Sequence, residues 1–240
     1  MKIVIARSEE EFGKLAFAEI KEIVYRDPAC TLGLATGSTP IPLYKEMVKD
    51  HQENGTSYAK VKTFNLDEYV GLPKEHPESY ISFMTRNLFS HVDIDMKNVN
   101  IPNGLASDIP AECARYSALL EKASVDVQVL GIGGNGHIAF NEPNTPFDSK
   151  THQVFLTQKT ITDNARFFDS VDQVPKSALT MGIGEIMKAK KLLMLATGKN
   201  KADAVYNMIK GPVTTACPAS ALQNHPDVVV ILDQAAAAKL

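Results

Sequence analysis

Short apolar runs alternate along the chain with segments of helical periodicity. The apolar runs are bounded by Gly, Asn or Asp and predict strands buried on both faces. The predicted strands cover residues 3–5, 31–35, 61–65, 125–130, 192–196 and 228–232. Between them, Ser8 with Glu11 forms a capping box for a helix that ends near residue 25, and Asp108 caps a helix that runs to residue 122. This order predicts one α/β domain over residues 1–240 with a mainly parallel sheet, whose ligands gather at the carboxyl ends of the strands.

The most informative segment is residues 127–143, which reads VQVLGIGGNGHIAFNEP. A strand breaks there into a glycine-rich turn that places Asn135, His137 and Glu142 within eight positions. The unperturbed pKa of histidine lies near neutrality, and a carboxylate five residues away offers a proton partner or an orienting group. The segment therefore predicts acid/base chemistry on a small polar substrate.

The same glycines match G-x-G-x-x-G, the fingerprint of dinucleotide binding. That fingerprint requires a helix after its last glycine, whereas Pro143 and Pro146 interrupt the residues that follow. Gly133 and Gly136 instead allow the backbone to approach a ligand closely, which makes them candidate substrate-lining residues. The spacing of His137 and Glu142 is not that of a metal site, so we expect no catalytic metal.

Two corners share the sequence LATG, at residues 34–37 and 195–198. The first continues as TGSTP before a helix, where Thr36, Ser38 and Thr39 predict either a phosphate site at a helix N-terminus or an ordinary helix cap. The second continues with Lys199 and Lys201, where positive charge opposes the helix dipole. Those lysines indicate either an anionic ligand or a solvated surface.

A further carboxylate, Asp67 in FNLDEYVG, follows the predicted strand at residues 61–65. It is either a general base at the sheet edge or a loop cap. Its neighbour Glu68 is expected to face solvent, and His76 is taken as structural. Residues 144–174 lack long periodicity and predict a mobile flap. Arg166 within that segment either pairs with a nearby carboxylate or closes on a phosphate.

Composition narrows the classes of function. The net charge is −3, with 25 Lys and Arg against 28 Asp and Glu, so nucleic acid is an unexpected partner. No apolar run is long enough to span a bilayer, and the start of the chain does not resemble a signal peptide. Three widely spaced cysteines favour reduced, packed thiols. We expect a cytoplasmic protein without a membrane partner.

The motifs TGSTP, FNLDEYVGLPKEHPESY, GIGGNGHIAFNEP, NARFF and TGKNK occur in this order. Together they resemble the glucosamine-6-phosphate deaminase family over nearly the whole chain. TGSTP alone is shared with phosphogluconolactonases and related sugar-phosphate proteins. The resemblance implies a Rossmann-like sheet with helices on both faces, no cofactor, and conversion of glucosamine 6-phosphate and water to fructose 6-phosphate and ammonia.

The resemblance also implies roles for individual residues. Asp67 matches the base that moves a proton from C2 to C1 of the sugar, while His137 and Glu142 match the groups that assist ring opening. Asn135 departs from the better-known family pattern, which has aspartate there. The implied phosphate ligands are Thr36, Gly37, Ser38, Thr39, Arg166 and Lys201.

Some family members are hexamers activated by an acetylated sugar phosphate. They use basic residues after the FNEP turn and a longer C-terminal extension. Here His152 and Val154 stand where cations are expected, and the chain stops soon after its last predicted strand. We expect a monomer or small homo-oligomer without that activation.

Two alternatives remain on the sequence alone. A 6-phosphogluconolactonase needs a water-activating base, yet it does not explain the FNLDEYVG segment. A non-catalytic sugar-phosphate sensor usually carries a helix-turn-helix, for which the chain has neither spare length nor a basic patch.

Overall fold

A computed structural model describes residues 1–158, 161–162, 165, 168 and 170–240. The strands are β1 (Lys2–Ala6), β2 (Thr31–Leu34), β3 (Lys62–Asn65), β4 (Asp67–Tyr69), β5 (Val99–Asn100), β6 (Val127–Gly131), β7 (His152–Phe155), β8 (Ser177–Thr180), β9 (Leu192–Ala196) and β10 (Val228–Asp233). The helices are α1 (Glu9–Arg26), α2 (Ile41–Asn54), α3 (Tyr80–Asn87), α4 (Ile109–Lys122), α5 (Ile183–Ile186) and α6 (Ala202–Lys210). Within these ranges, no helix is long and apolar enough to cross a membrane.

Seven strands form one parallel sheet in the order β1-β10-β9-β6-β2-β3-β5. The chain leaves β2 toward β3 and leaves β6 toward β9, so the direction of winding reverses between β2 and β6. Ligands of such sheets bind at the carboxyl ends of the strands beside this reversal. The predicted α/β fold with a mainly parallel sheet is confirmed, and all six predicted strands lie in this sheet.

A smaller antiparallel sheet in the order β4-β8-β7 was missed by sequence reasoning. Its strands have three or four residues each, too few for a clear alternation of apolar and polar positions. Strand β7 lies inside the segment predicted as a flap, where it pairs in register with β8. Part of that segment is therefore sheet, and the predicted motion of the flap stays a prediction.

The prediction that every strand is buried on both faces is wrong for β1. Ile3 and Ile5 are 40% and 48% exposed because β1 is an edge strand of the large sheet. The predicted caps are present. Ser8 accepts a hydrogen bond from the backbone N–H of Glu11 at 3.1 Å, and Asp108 accepts one from Ala111 at 2.9 Å.

Buried tyrosines fix the ends of the two strands that lead to the candidate site. The hydroxyl of Tyr44 in α2 accepts a hydrogen bond from the N–H of Ala35, directly after β2, at 3.2 Å. The hydroxyl of Tyr116 in α4 donates to the carbonyl of Asn65, the last residue of β3, at 2.7 Å. Because both side chains are fully buried, these bonds hold the sheet edge rigidly.

Candidate active site

Asp67 is the first residue of β4 and lies one residue beyond the end of β3. Its side chain is buried, and no described residue donates a hydrogen bond to its carboxylate. Burial, followed by the negative charge of the adjacent Glu68, raises the pKa of Asp67 to about 8. Among the two interpretations left open by the sequence, this geometry favours a general base, since a helix or loop cap would have accepted backbone hydrogen bonds.

Glu68 does not face solvent, contrary to the expectation from sequence. It is 5% exposed, and its carboxylate accepts hydrogen bonds from the backbone N–H groups of Tyr69, Tyr80 and Ile81 at 2.9, 3.0 and 3.2 Å. Tyr80 and Ile81 are the first residues of α3. The carboxylate therefore occupies the N-terminus of that helix, where unpaired N–H groups and the helix dipole favour an anion.

The turn after β6 brings the predicted acid/base residues together. Nδ1 of His137 lies 3.3 Å from Oε1 of Glu142, an ion-pair distance with angles outside those of a hydrogen bond. Nδ2 of Asn135 donates to Oε2 of Glu142 at 2.6 Å, and Oδ1 of Asn135 accepts the N–H of His137 at 3.2 Å. Asn135 thus holds the carboxylate with one end of its amide and the histidine backbone with the other.

Close packing explains why glycine occupies two positions of this turn, Gly133 and Gly136. A Cβ at Gly133 would lie 2.4 Å from Nε2 of His137, so the imidazole ring rests directly on the glycine. Gly136 has a φ of +85°, and a Cβ there would meet the sulfur of Cys217 at 2.6 Å. Glycine is required at these positions by His137 and Cys217. Their predicted contact with substrate stays a prediction.

Strand β8 connects the histidine turn to Asp67. Thr180 of β8 pairs with Asp67 in the antiparallel ladder, and its hydroxyl accepts the N–H of Phe140 at 3.1 Å. The buried amide of Asn141 donates to the carbonyls of Ile138 and Met181 at 3.0 and 2.8 Å. These polar contacts place the two acid/base centres on one rigid support. Sequence reasoning missed Thr180 and Asn141, although the buried amide within the FNEP motif was an available signal.

The first LATG corner carries side-chain hydroxyls that have no hydrogen-bond partner among the described residues. Helix α2 begins with Pro40 as its cap residue, and no side chain caps it. In the described part of the chain, the hydroxyls of Thr36, Ser38 and Thr39 have no hydrogen-bond partner, and Gly37 adopts a φ of +92°. These hydroxyls do not cap the helix, so the geometry favours the phosphate-site interpretation over the ordinary cap.

The second LATG corner is built differently. Oδ2 of Asp233 at the end of β10 accepts the N–H of Gly198 at 2.9 Å, so this backbone donor is already used. Lys199 and Lys201 lie in a short 3₁₀ turn that leads into α6, and Lys201 is half-buried. The glycine turn passes beside this corner, since a Cβ at Gly134 would lie 3.4 Å from the carbonyl oxygen of Asn200. The two corners therefore differ in their free backbone donors, and the anionic ligand suggested for the lysines of the second corner stays a prediction.

Arg166 lies outside the described residues. Phe168, two residues later, is among the described residues. Its ring packs edge-on against Tyr69, with centroids 6.2 Å apart, and stacks on His76, with centroids 5.6 Å apart. His76 also accepts the N–H of Glu78 at 3.1 Å, in agreement with the structural role expected for it.

The candidate residues follow the carboxyl ends of four strands, β3, β2, β6 and β9, which are consecutive neighbours across the sheet. They flank the reversal of winding between β2 and β6. In the described ranges, no group of three or more His, Cys, Asp or Glu side chains is arranged to hold a metal ion. Cys30, Cys113 and Cys217 are buried and form no disulfide.

Comparison with known proteins gives a family. The family described as glucosamine-6-phosphate isomerases/6-phosphogluconolactonase matches residues 7–231. The chain belongs to this family. A glucosamine-6-phosphate deaminase of Lactobacillus delbrueckii subsp. bulgaricus is 52% identical over 240 residues, which is the full length of both chains.

One solved structure agrees with this assignment, and a second shares the fold. A structure described as a monomeric glucosamine-6-phosphate deaminase aligns with a TM-score of 0.97 and 43% identity over all of both chains. A 6-phosphogluconolactonase from Trypanosoma cruzi aligns with a TM-score of 0.80 and 21% identity, over 100% of this chain and 96% of the other. At that identity, the second likeness concerns the fold alone.

Proposed function

We propose that this family member is a glucosamine-6-phosphate deaminase, which converts glucosamine 6-phosphate and water to fructose 6-phosphate and ammonia. The observation that carries the proposal is the presence of two separate acid/base centres at one sheet edge. One is the buried Asp67, and the other is the pair His137 and Glu142. The names of the full-length relatives support the same reaction.

The reaction requires this division of labour. The closed sugar has no carbonyl group to acidify its C2 proton, so the ring must open first. In the proposed mechanism, His137 moves a proton from the O1 hydroxyl to the ring oxygen as the bond between C1 and the ring oxygen breaks. Glu142, which is held by Asn135, orients the imidazole. The open aldehyde then makes the proton on C2 acidic.

Asp67 then acts on the open chain. It removes the proton from C2 to give an enolamine and returns it to C1, which leaves an imine at C2. Water adds to that imine and ammonia leaves, so that the ketone of fructose 6-phosphate forms. A base whose pKa lies close to the operating pH combines ionisation with proton affinity, and burial gives Asp67 that property.

The phosphate group is assigned to the first LATG corner. The segment from Thr36 to Thr39 lies between the carboxyl end of β2 and the start of α2. Its side-chain hydroxyls have no hydrogen-bond partner among the described residues. Lys201 and Arg166 are proposed to add positive charge. Each charge-assisted hydrogen bond contributes about 1.5–3 kcal/mol to such binding.

The proposed assembly is a monomer or small homo-oligomer in the cytoplasm, without activation by an acetylated sugar phosphate. The structural relative described as monomeric supports the low assembly state. His152 and Val154 lie in β7, where an anionic effector would find no lysine or arginine at those two positions.

The decisive experiment measures ammonia and fructose 6-phosphate released from glucosamine 6-phosphate. Equal release by the wild type and none by Asp67→Asn would support the reaction and its base. Asp50→Asn is the matched control. Asp50 is also buried, but it lies in α2, where the side chains of Asn54 and Thr56 donate hydrogen bonds to its carboxylate. Hydrolysis of 6-phosphogluconolactone without ammonia release would favour the lactonase, and binding of the sugar phosphate without either product would favour the sensor.

A further inference from the structure

Glu68 is a buried carboxylate that the proposed mechanism does not use. Successive side chains of a strand point to opposite faces, so Glu68 leaves β4 on the face opposite to Asp67. On its own face it borders a cavity of about 300 Å³ that is otherwise mostly apolar, with Leu72, Ile81 and Ile101 among its walls. Glu68 is therefore placed to act through Asp67 and not on the substrate.

Three backbone donors hold the Glu68 carboxylate in place. Oε1 accepts from Tyr69 in the same strand and from Tyr80 in α3, while Oε2 accepts from Ile81 in α3. The side chain thus ties the strand that carries Asp67 to the N-terminus of a helix. Rotation or slippage of β4 would break two of these bonds.

The two adjacent carboxylates have unequal support. Burial raises the pKa of Glu68, but its three backbone hydrogen bonds and Lys74 offset part of that effect. Asp67 has no such donors among the described residues, and burial together with the charge of Glu68 raises its pKa to about 8. Glu68 therefore ionises first, and Asp67 ionises against an existing negative charge.

We propose that Glu68 is a positioning residue for the base Asp67: it anchors β4 to α3 and keeps a fixed negative charge on the opposite face of the same strand. This inference rests on the proposed function, in which Asp67 removes the C2 proton. It assigns to Glu68 a role in the strength of the base as well as in its location.

The other ionisable groups near Asp67 do not supply this charge. Burial raises the pKa of Tyr69 to about 12, and it raises the pKa of Tyr80 and Tyr116 well above their usual value. These phenols are neutral throughout the useful pH range. Strand β8, which pairs with β4, carries only Ser, Ala, Leu and Thr.

The test compares Glu68→Gln with the wild type. The amide retains one carbonyl acceptor and removes the charge. We expect the pKa of Asp67, followed by ¹³C NMR of its carboxyl group and assigned with Asp67→Asn, to fall by about 1 pH unit. The acid limb of the pH profile of kcat/KM should move to lower pH by the same amount. The plateau value of kcat should fall several-fold, because Asp67 is then a weaker base.

Two further variants separate charge from anchoring. Glu68→Asp keeps the charge but shortens the side chain, so it should keep the wild-type pKa of Asp67 while lowering the melting temperature. If Glu68→Gln does not fold, Glu68→Asp still tests whether the charge at this position sets the pKa of Asp67. Glu185→Gln is the matched control, because Glu185 is a buried carboxylate that accepts the N–H of Gly182 at the start of α5. This control should leave the acid limb unchanged.

A Glu68→Gln protein that loses thermal stability while the pKa of Asp67 and the acid limb stay in place would overturn the inference, since Glu68 would then be only structural. Absence of turnover in the wild type would instead refute the proposed function. The NMR titration would still decide whether Glu68 controls the proton affinity of Asp67, because it needs no substrate.

Discussion

Replacing Asp67 by asparagine should stabilise the protein above neutral pH. The wild-type carboxylate is 7% exposed, receives no hydrogen bond from a described residue, and lies next to the negative charge of Glu68. Ionisation of Asp67 therefore destabilises the native state and lowers the free energy of unfolding. Asparagine has nearly the same shape and carries no charge, so it removes that cost.

The magnitude follows from the pKa of Asp67 in the two states. Its ordinary value is 3.8, and burial together with the charge of Glu68 raises it to about 8 in the native protein. The native state binds the proton more tightly, so stability is lost as pH rises from about 4 to about 8 and stays lower above that range. The difference corresponds to a limit of about 6 kcal/mol; relaxation around the charged form reduces it, and we expect a gain of about 2–6 kcal/mol for Asp67→Asn at pH 9.

Urea unfolding of both proteins at pH 4, 6, 7.5 and 9 provides the measurement. The two free energies of unfolding should agree at pH 4 and diverge progressively up to pH 9. Asp50→Asn is the matched control with the opposite sign. Burial alone would raise the pKa of Asp50, but hydrogen bonds from Thr56 and Asn54 and the ion pair with Lys21 lower it overall. Asp50→Asn should therefore destabilise the protein at neutral pH, and this loss should shrink as pH falls through the native pKa of Asp50.

An Asp67→Asn protein that is equally or less stable than the wild type at pH 9 would refute the reasoning. The carboxylate would then be solvated or paired in the native state, and its value as a strong base would lose its physical cause.

Three further outcomes test the other parts of the site. Gly133→Ala should lower kcat by about 10- to 100-fold, because the new Cβ would lie 2.4 Å from Nε2 of His137 and displace the ring; Gly131→Ala is the control, since its Cβ would meet no atom within 4 Å. Lys201→Ala should raise KM by about 10- to 100-fold with little change in melting temperature, and an unchanged KM would exclude it from the phosphate site. Asn135→Asp should lower kcat, because its carboxylate would replace the amide that donates to Oε2 of Glu142 at 2.6 Å and would repel Glu142, and an unchanged kcat would count against this role of Asn135.

Much of the fold was predictable because it depends on local patterns. Six of the seven strands of the large sheet are apolar runs long enough to distinguish from their surroundings, whereas β5 has only two residues and was missed. The caps Ser8 and Asp108 mark the starts of the helices that follow. The candidate residues Asp67 and His137 were found in the same way, since each follows an apolar run that ends at the sheet edge.

The antiparallel sheet was not predictable from such patterns. Its strands are short, and their pairing joins positions 67–69 to 178–180, which are far apart in sequence. The burial of Glu68 depends on the same long-range arrangement, because its hydrogen-bond partners Tyr80 and Ile81 belong to a helix that begins twelve residues later. A charged residue beside another charge gives no sequence signal that it will be buried.

The sequence by itself determined the α/β class, six of the seven strands of the parallel sheet and the segments that carry polar chemistry, because hydrophobic periodicity and turn residues act over a few positions. Only the tertiary structure decided which of those groups are buried, paired or strained. Asp67 has a raised pKa because the sheets and helices around it exclude water and place Glu68 beside it. Desolvation and charge coupling depend on distances between elements, and those distances are set when the chain packs.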